Sequence, residues 1–175
     1  GEIIGNCHKL PSRLFERKMV SADEITATYI PLLQELKATC PHLQCLFTVS
    51  PIRHLKDGLH GNQLSKANLL IAIDQICRQL DFCHYFPSYE IMIDELRDYR
   101  FYADDMMHPS PLAIQYIWEC FCNCYFTPST LSFLKEWNKI RQGLAHRPFN
   151  PDSEAYQTFL SQILLKIEDL KEKLP

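Results

Sequence analysis

Two short apolar segments, each closed by a proline, most constrain the fold of this chain. The first covers residues 43–50 and ends at Pro51, and the second covers residues 83–86 and ends at Pro87. Runs of β-forming residues bounded in this way predict strands, and the first is apolar enough to predict a strand buried on both faces. A helical apolar pattern lies between them. Strand, helix and strand predict a βαβ crossover with a parallel sheet, which places the chain in the α/β class.

Capping signals and apolar spacing predict where the helices begin. Ser21 opens a capping box ahead of a first helix, in which Pro31 predicts a kink or a division into two pieces. Ser65 is the predicted N-cap of the helix between the strands, and Ser110 is the predicted N-cap of an amphipathic helix after them. Residues 51–61, which include two glycines, are predicted to form a polar loop.

The pattern is helical throughout from residue 127. Thr127 and Pro148 bracket one predicted helix, and Pro151 precedes another. We therefore predict an α/β part over residues 1–126 and a helical hairpin over residues 127–175, packed on the α/β part.

Composition excludes several classes of partner and cofactor. With 175 residues and 46% hydrophobic side chains, the chain can form a core. The net charge of −3 includes no run of lysines or arginines, so we expect no nucleic-acid partner. No apolar stretch reaches the roughly 20 residues that span a bilayer, so we expect no membrane span. Oligomeric state is not encoded in any recognisable pattern.

The eight cysteines lie mostly at apolar positions, which is typical of free thiols in a reducing compartment. This predicts a cytoplasmic location. In a helix, Cys120 and Cys124 share one face and Cys122 points away, so the three cannot converge on one metal ion. We predict neither a metal nor a cofactor.

An aspartate and a histidine three residues apart are the first candidates for catalysis. Asp105 and His108 lie on a short segment that leads into the helix capped by Ser110. An aspartate one turn from a histidine can fix the ring, select its tautomer and stabilise the imidazolium. We predict that Asp105 orients and His108 transfers the proton. The structural alternative is that Asp105 only caps a turn.

Candidate substrate-binding residues follow the first predicted strand, because the carboxyl ends of parallel strands meet at the edge where ligands bind. They are Arg53, His54, Asp57 and His60. Steps of three residues turn a helix too far for His54, Asp57 and His60 to hold one metal, which favours substrate-facing or capping roles. Asn6 and His8, in the amino-terminal loop, are further candidates for substrate binding.

Residues 84–110 mix charged and aromatic side chains more densely than any other segment. A charge run is usually a solvated helix face. The interleaved aromatic residues indicate partial burial, so we predict that Glu90, Arg97 and Arg100 brace the loop that carries Asp105 and His108.

Several ordered motifs resemble the GSCFA family, which is related to the SGNH or GDSL-type hydrolases. They are Asn-Cys-His-Lys at 6–9, Thr-Val-Ser-Pro-Ile-Arg-His-Leu-Lys-Asp-Gly at 48–58, Leu-Ser-Lys at 64–66, Tyr-Phe-Pro-Ser-Tyr-Glu at 85–90, Asp-Glu-Leu-Arg-Asp-Tyr-Arg-Phe-Tyr at 94–102 and Asp-Met-Met-His-Pro-Ser at 105–110. The resemblance implies a flavodoxin-like three-layer sandwich and a serine-dependent ester or acyl hydrolase, in which Asp105 and His108 are orienter and base. It also implies a small-molecule, glycan or lipid ester as substrate.

Neither Gly-Ser-Cys-Phe-Ala nor Gly-Asp-Ser occurs in the sequence. The resemblance therefore implies that the nucleophile segment lies upstream of Gly1, that this chain is the carboxyl-terminal portion of the domain, and that the 175 residues alone are inactive. A non-catalytic α/β binding domain is the main alternative. A metal-dependent enzyme using His54, Asp57 and His60 is a third.

Overall fold

Two short parallel strands form the sheet of the first part of the chain. The computed structural model describes residue 4, residues 9–150 and residues 152–172. Strand β1 (Cys45–Phe47) pairs in parallel with β2 (Cys83–Tyr85), Cys45 opposite Cys83 and Phe47 opposite Tyr85. Between them runs α2 (Gly58–Gln79), so the predicted parallel βαβ connection is confirmed. In the described part of the chain this sheet has two strands, and most other residues are helical.

The prediction that the first strand is buried on both faces is wrong. Alternate side chains of a strand point to opposite faces. Cys45 and Phe47 pack against a core made with Leu33 and Ile76, whereas Leu46, on the other face, is 39% exposed. Helices therefore cover one face of β1 among the residues described, and the opposite face is partly open.

Helix α1 (Ala22–Thr39) has the predicted capping box at its start. The Ser21 hydroxyl accepts from the Glu24 backbone N–H at 3.2 Å, and the Glu24 carboxylate accepts from the Ser21 N–H at 3.0 Å. The helix continues through Pro31, so the predicted division does not occur. Ile30 and Leu33, on either side of the proline, both pack in the core, and this burial offsets the lost backbone hydrogen bond.

Helix α2 begins at Gly58 and not at the predicted cap, Ser65. The glycines explain the difference. Gly58 has a φ of 71°, in the left-handed region that favours glycine, and a Cβ on Gly61 would lie 2.8 Å from the Cβ of Asp57. Both glycines therefore serve a tight helix start, and His60 lies on the first turn of the helix instead of in a loop.

A short helical segment follows β2 and leads to the candidate catalytic turn. Helix α3 (Ser88–Glu90) continues into a π-helical turn over Ile91–Glu95, in which the Leu96 N–H donates to the Ile91 carbonyl at 2.8 Å. Met92 and Leu96 from this segment are buried with Ala113 of α4 (Pro111–Tyr125).

The chain forms two compact units, Gly1–Ile117 and Trp118–Pro175, and α4 begins in the first and ends in the second. In the second unit, α5 (Pro128–Ala145) and α6 (Glu154–Glu172) pack through Ile140, Ile163 and Leu170. The two helices lie where the sequence predicts a hairpin. The predicted domain boundary after residue 126 stays a prediction.

Two further properties bear on chemistry. The seven cysteines of the described part are free thiols, and burial raises the pKa of the Cys83 thiol to about 11, which keeps it protonated at neutral pH. None of the helices in residues 4, 9–150 and 152–172 carries an apolar stretch sufficient to span a bilayer.

We predict that Ile76→Ala lowers the free energy of unfolding of the first unit by about 2–5 kcal/mol, because Ile76 is 1% exposed and its loss leaves a cavity. Ile71→Ala is the matched control on the same helix. Ile71 is 51% exposed, so its replacement should change stability by less than about 0.5 kcal/mol. Urea denaturation followed by far-ultraviolet circular dichroism measures both. Equal effects would contradict the packing of α2 described above.

Candidate functional site

Asp105 and His108 lie in a tight backbone turn between a short 3₁₀ helix (Tyr99–Phe101) and α4. Tyr102 and Pro109 form an antiparallel bridge, and the Ala103 N–H donates to the His108 carbonyl at 2.8 Å. Met106, at the tip, has a φ of 59°, which is uncommon for a residue with a side chain. The bridge closes the turn and brings residues 105 and 108 together.

The Asp105 carboxylate makes three contacts inside this turn. Its Oδ1 atom accepts from the Met107 N–H at 2.9 Å and from the His108 N–H at 3.0 Å. Its Oδ2 atom lies 2.6 Å from Nδ1 of His108. With Asp105 ionised, Nδ1 carries the proton and donates, and the lone pair of the neutral ring is on Nε2. Asp105 thus caps the turn, as the structural alternative predicts, and also contacts the imidazole; the catalytic role of the pair stays a prediction.

The electrostatics of the turn favour an ionised aspartate. The backbone N–H of His108, the backbone N–H of Met107 and the His108 ring together lower the pKa of Asp105 to about 2. The side chains of His108 and Asp105 are 52% and 40% exposed. The His108 ring, with its Nε2 atom, is therefore half-exposed at the surface of the turn.

Arg53 connects the loop after β1 to this turn. Its backbone N–H donates to the Met107 carbonyl at 3.1 Å. Its guanidinium Nη2 donates to the Tyr102 hydroxyl at 2.9 Å, and the guanidinium carbon lies 4.6 Å from the centre of the Tyr102 ring. The structure thereby brings Arg53 and the Asp105–His108 turn together at the carboxyl ends of the strands.

Two buried polar residues of α2 hold the same loop, and sequence reasoning gave neither a role. Lys66 donates from Nζ to the Ser50 carbonyl at 2.6 Å, and the Asn62 side-chain oxygen accepts from the His54 N–H at 3.1 Å. They are 7% and 4% exposed. Residues 62, 66 and 73 lie on one face of the helix. Asn62 and Lys66 therefore continue the apolar stripe at helical spacing, and this spacing is the sequence signal that predicts their burial.

His54, Asp57 and His60 do not form a common site. Asp57 pairs through both carboxylate oxygens with Arg17, at 2.7 and 2.9 Å, and this guanidinium lowers the pKa of Asp57. Nδ1 of His54 lies 3.5 Å from Asp57, and His60 is exposed on α2. Among the residues whose placement is described, no three His, Cys, Asp or Glu side chains are grouped to hold a metal.

The remaining predicted residues make local contacts. The Nε atom of Arg97 donates to the Asp94 carbonyl at 2.6 Å, and Arg100 pairs with Asp98 at 3.1 Å. Glu90 accepts from the Tyr85 hydroxyl at 2.8 and 3.0 Å. Their supporting role stays a prediction. Asn6 and His8 lie outside the described residues.

A cavity of about 1070 Å³ opens between α1, α2 and the segment that precedes α1. Its apolar wall includes Ile25, Phe47, Leu69, Ile73 and Ile76. Arg17, Lys18, Glu24, His54, Lys56 and Asp57 are among its polar lining. Asp105 and His108 are not lining residues, so the cavity and the candidate catalytic turn are separate features that share only the loop after β1.

The family comparison agrees with the order of motifs. Residues 1–121 match the model of the GSCFA family. The chain belongs to the GSCFA family. Residues 137–175 match a second model, described as the C-terminal domain of GSCFA domain proteins. No curated protein and no solved structure matches the chain.

We predict that the Asp105 carboxyl titrates with a midpoint near pH 2, well below its ordinary value of 3.8, in carbon-detected NMR of the side chain. Because the folded-state pKa is lowered, Asp105 stabilises the fold above pH 3.8, and this contribution is lost as the pH falls through about 2.

His108→Ala is the informative variant for this titration. It removes the ring contact and keeps both backbone donors, which are the two largest causes of the shift. The midpoint should therefore rise and still remain below 3.8. A wild-type midpoint at the ordinary value would contradict the geometry of the turn.

Proposed function

We propose that Asp105 and His108 are the orienter and the general base of a serine-dependent ester or acyl hydrolase of the GSCFA type. The observation that supports the proposal best is the 2.6 Å contact between Oδ2 of Asp105 and Nδ1 of His108. Membership of the GSCFA family supports it further, because that family resembles the SGNH hydrolases, in which an Asp-x-x-His segment has these roles.

In the proposed reaction, Nε2 of His108 accepts the proton of a serine hydroxyl as the serine oxygen attacks the ester carbonyl carbon. The imidazolium, stabilised by ionised Asp105, then donates this proton to the leaving alcohol oxygen as the carbon–oxygen bond breaks. Water, activated by the same base, releases the acid and restores the serine. The substrate class is a small-molecule, glycan or lipid ester.

The serine and the oxyanion donors belong to sequence outside the 175 residues in this proposal. Three serines, after each of the two strands and at the start of α4, already have structural partners. Ser88 donates to the Val49 carbonyl at 2.9 Å, Ser50 accepts from the Ile52 N–H at 3.3 Å, and Ser110 accepts from the Ala113 N–H at 3.3 Å. These contacts explain the three hydroxyls without a nucleophilic role.

A three-layer SGNH-type sandwich in the intact protein is part of the same proposal. The partly exposed face of β1 at Leu46 is where a second layer of helices would pack. Free thiols throughout the described part support a reducing, cytoplasmic location.

We predict that His108→Ala lowers kcat/KM for ester hydrolysis by the natural full-length protein by about 10³-fold or more, because the base that accepts the serine proton is lost. Asp105→Asn should lower it by about 10²–10⁴-fold through loss of ring orientation. A panel of 4-nitrophenyl esters measures both. His42→Ala is the matched control, because His42 is exposed in the turn before β1. Equal rates for wild type and His108→Ala would exclude His108 from the mechanism.

A non-catalytic binding domain is the second candidate, and the apolar wall of the 1070 Å³ cavity favours it. We expect this function to show as binding of the amphipathic dye 1-anilinonaphthalene-8-sulfonate, weakened about tenfold by Leu69→Trp, which places a larger side chain in the cavity wall. Leu64→Trp is the control, since Leu64 is exposed on the same helix and does not line the cavity. Equal dye affinities in the two variants would exclude the cavity as the site.

A further inference from the structure

Arg53 and Lys66 are cations without a carboxylate partner at the carboxyl end of β1. Four other cations of the described chain form ion pairs with carboxylates: Arg17, Lys18, Arg78 and Arg100. Among the residues described, no carboxylate oxygen lies within 4.0 Å of a side-chain nitrogen of Arg53 or Lys66. Both residues are at least half-buried, where unpaired charge is costly.

Each of the two cations lies beside an aromatic ring. The Lys66 ammonium lies 5.7 Å from the centre of the Tyr89 ring, and the Arg53 guanidinium carbon lies 4.6 Å from the centre of the Tyr102 ring. Burial raises the pKa of the Tyr89 hydroxyl, and the charge of Arg53 opposes this, so Arg53 lies within electrostatic range of Tyr89. Tyr102 is directly bridged to Pro109, the residue after His108.

Neither Glu90 nor Asp57, the carboxylate nearest to Arg53 in sequence, neutralises them. Glu90 is held by the Tyr85 hydroxyl and lies beyond ion-pair distance of both cations. Burial lowers the pKa of Lys66, the direction expected for an ammonium that has no anion beside it. In the described part of the chain both cations therefore lack a carboxylate in contact, although the chain as a whole carries a net charge of −3.

The guanidinium is suited to bind an anion. It has five N–H donors in one plane, and the contact with Tyr102 uses one of them. Stacking on Tyr102 fixes the plane, and the half-buried position lowers the dielectric around it. A planar, pre-oriented guanidinium binds carboxylate or phosphate oxygens through paired hydrogen bonds.

We propose that Arg53 forms an anion-recognition site beside His108, so that the substrate is an ester that also carries a carboxylate, phosphate or sulfate group. Lys66 is a positioning residue in this site. Its ammonium group donates to the Ser50 carbonyl and adds positive electrostatic potential beside Tyr89. The substrate class rests on the proposed hydrolase function, whereas anion binding by Arg53 does not.

Binding of inorganic phosphate to the 175-residue chain tests the site without any hydrolysis. Phosphate should bind in the millimolar range and shift the NMR signals of the His108 ring. Arg53→Gln should weaken this binding about tenfold or more, and Arg53→Lys by less, because the charge is kept while the paired hydrogen bonds are lost. Arg78→Gln is the matched control, an exposed arginine of α2 whose loss should leave the affinity unchanged. No phosphate binding, or equal affinity in wild type and Arg53→Gln, would overturn the proposal.

Hydrolysis by the natural full-length protein tests the substrate class. Monomethyl succinate carries a free carboxylate and dimethyl succinate does not. The kcat/KM for the monoester divided by that for the diester should fall about 30-fold or more in Arg53→Gln, because only the monoester loses a contact. Equal losses for the two esters would mean that Arg53 only positions the His108 turn and would overturn its role in recognition. If the protein hydrolyses neither ester while phosphate still binds through Arg53, the hydrolase function fails and the anion site stands.

Discussion

Parallel pairing of β1 with β2 is the constraint on which the rest of the first unit depends. It aligns the carboxyl ends of the two strands, so the loops that follow them leave from one edge. The Ser88 hydroxyl then donates to the Val49 carbonyl, and the Arg53 N–H donates to the Met107 carbonyl. Backbone groups that a single strand would leave unpaired are satisfied by the neighbouring loop. Residues separated by about 50 positions in sequence, Arg53 and Tyr102, meet as a result.

Helix α2 contributes more to this edge than its apolar face. Asn62 and Lys66 are buried, and each gives its polar end to the backbone of the loop after β1. A buried polar group is costly unless it is hydrogen-bonded, so these contacts favour a single loop conformation over alternatives of similar compactness. The same arrangement leaves a positive charge close to the His108 turn. This charge arises because the fold leaves Arg53 and Lys66 without a carboxylate partner among the described residues, and the net charge of the sequence does not indicate it.

Much of the first unit follows from local sequence patterns, and the remainder depends on tertiary contacts. The capping box at Ser21, the two strand segments and the approach of Asp105 to His108 are short-range features, readable from residue type and spacing. The predicted start of α2 is wrong because Gly58 and Gly61 are breakers in most contexts. Here Gly58, the first residue of the helix, adopts a φ of 71°, and Gly61 lies too close to Asp57 for a side chain. Arg17 and Asp57, 40 positions apart, meet because α1 and α2 pack together. Nothing in either local sequence indicates that contact.

The left-handed backbone at Met106 makes the conformation of the candidate catalytic turn depend on the Asp105 carboxylate. An L-residue in that conformation is disfavoured by roughly 1–2 kcal/mol, and the backbone contacts of the neighbouring carboxylate hold it in place. One side chain therefore maintains the loop's shape and polarises the imidazole at the same time. A substitution at Asp105 that changes the electrostatics of the imidazole therefore also removes the contacts that hold the loop's conformation.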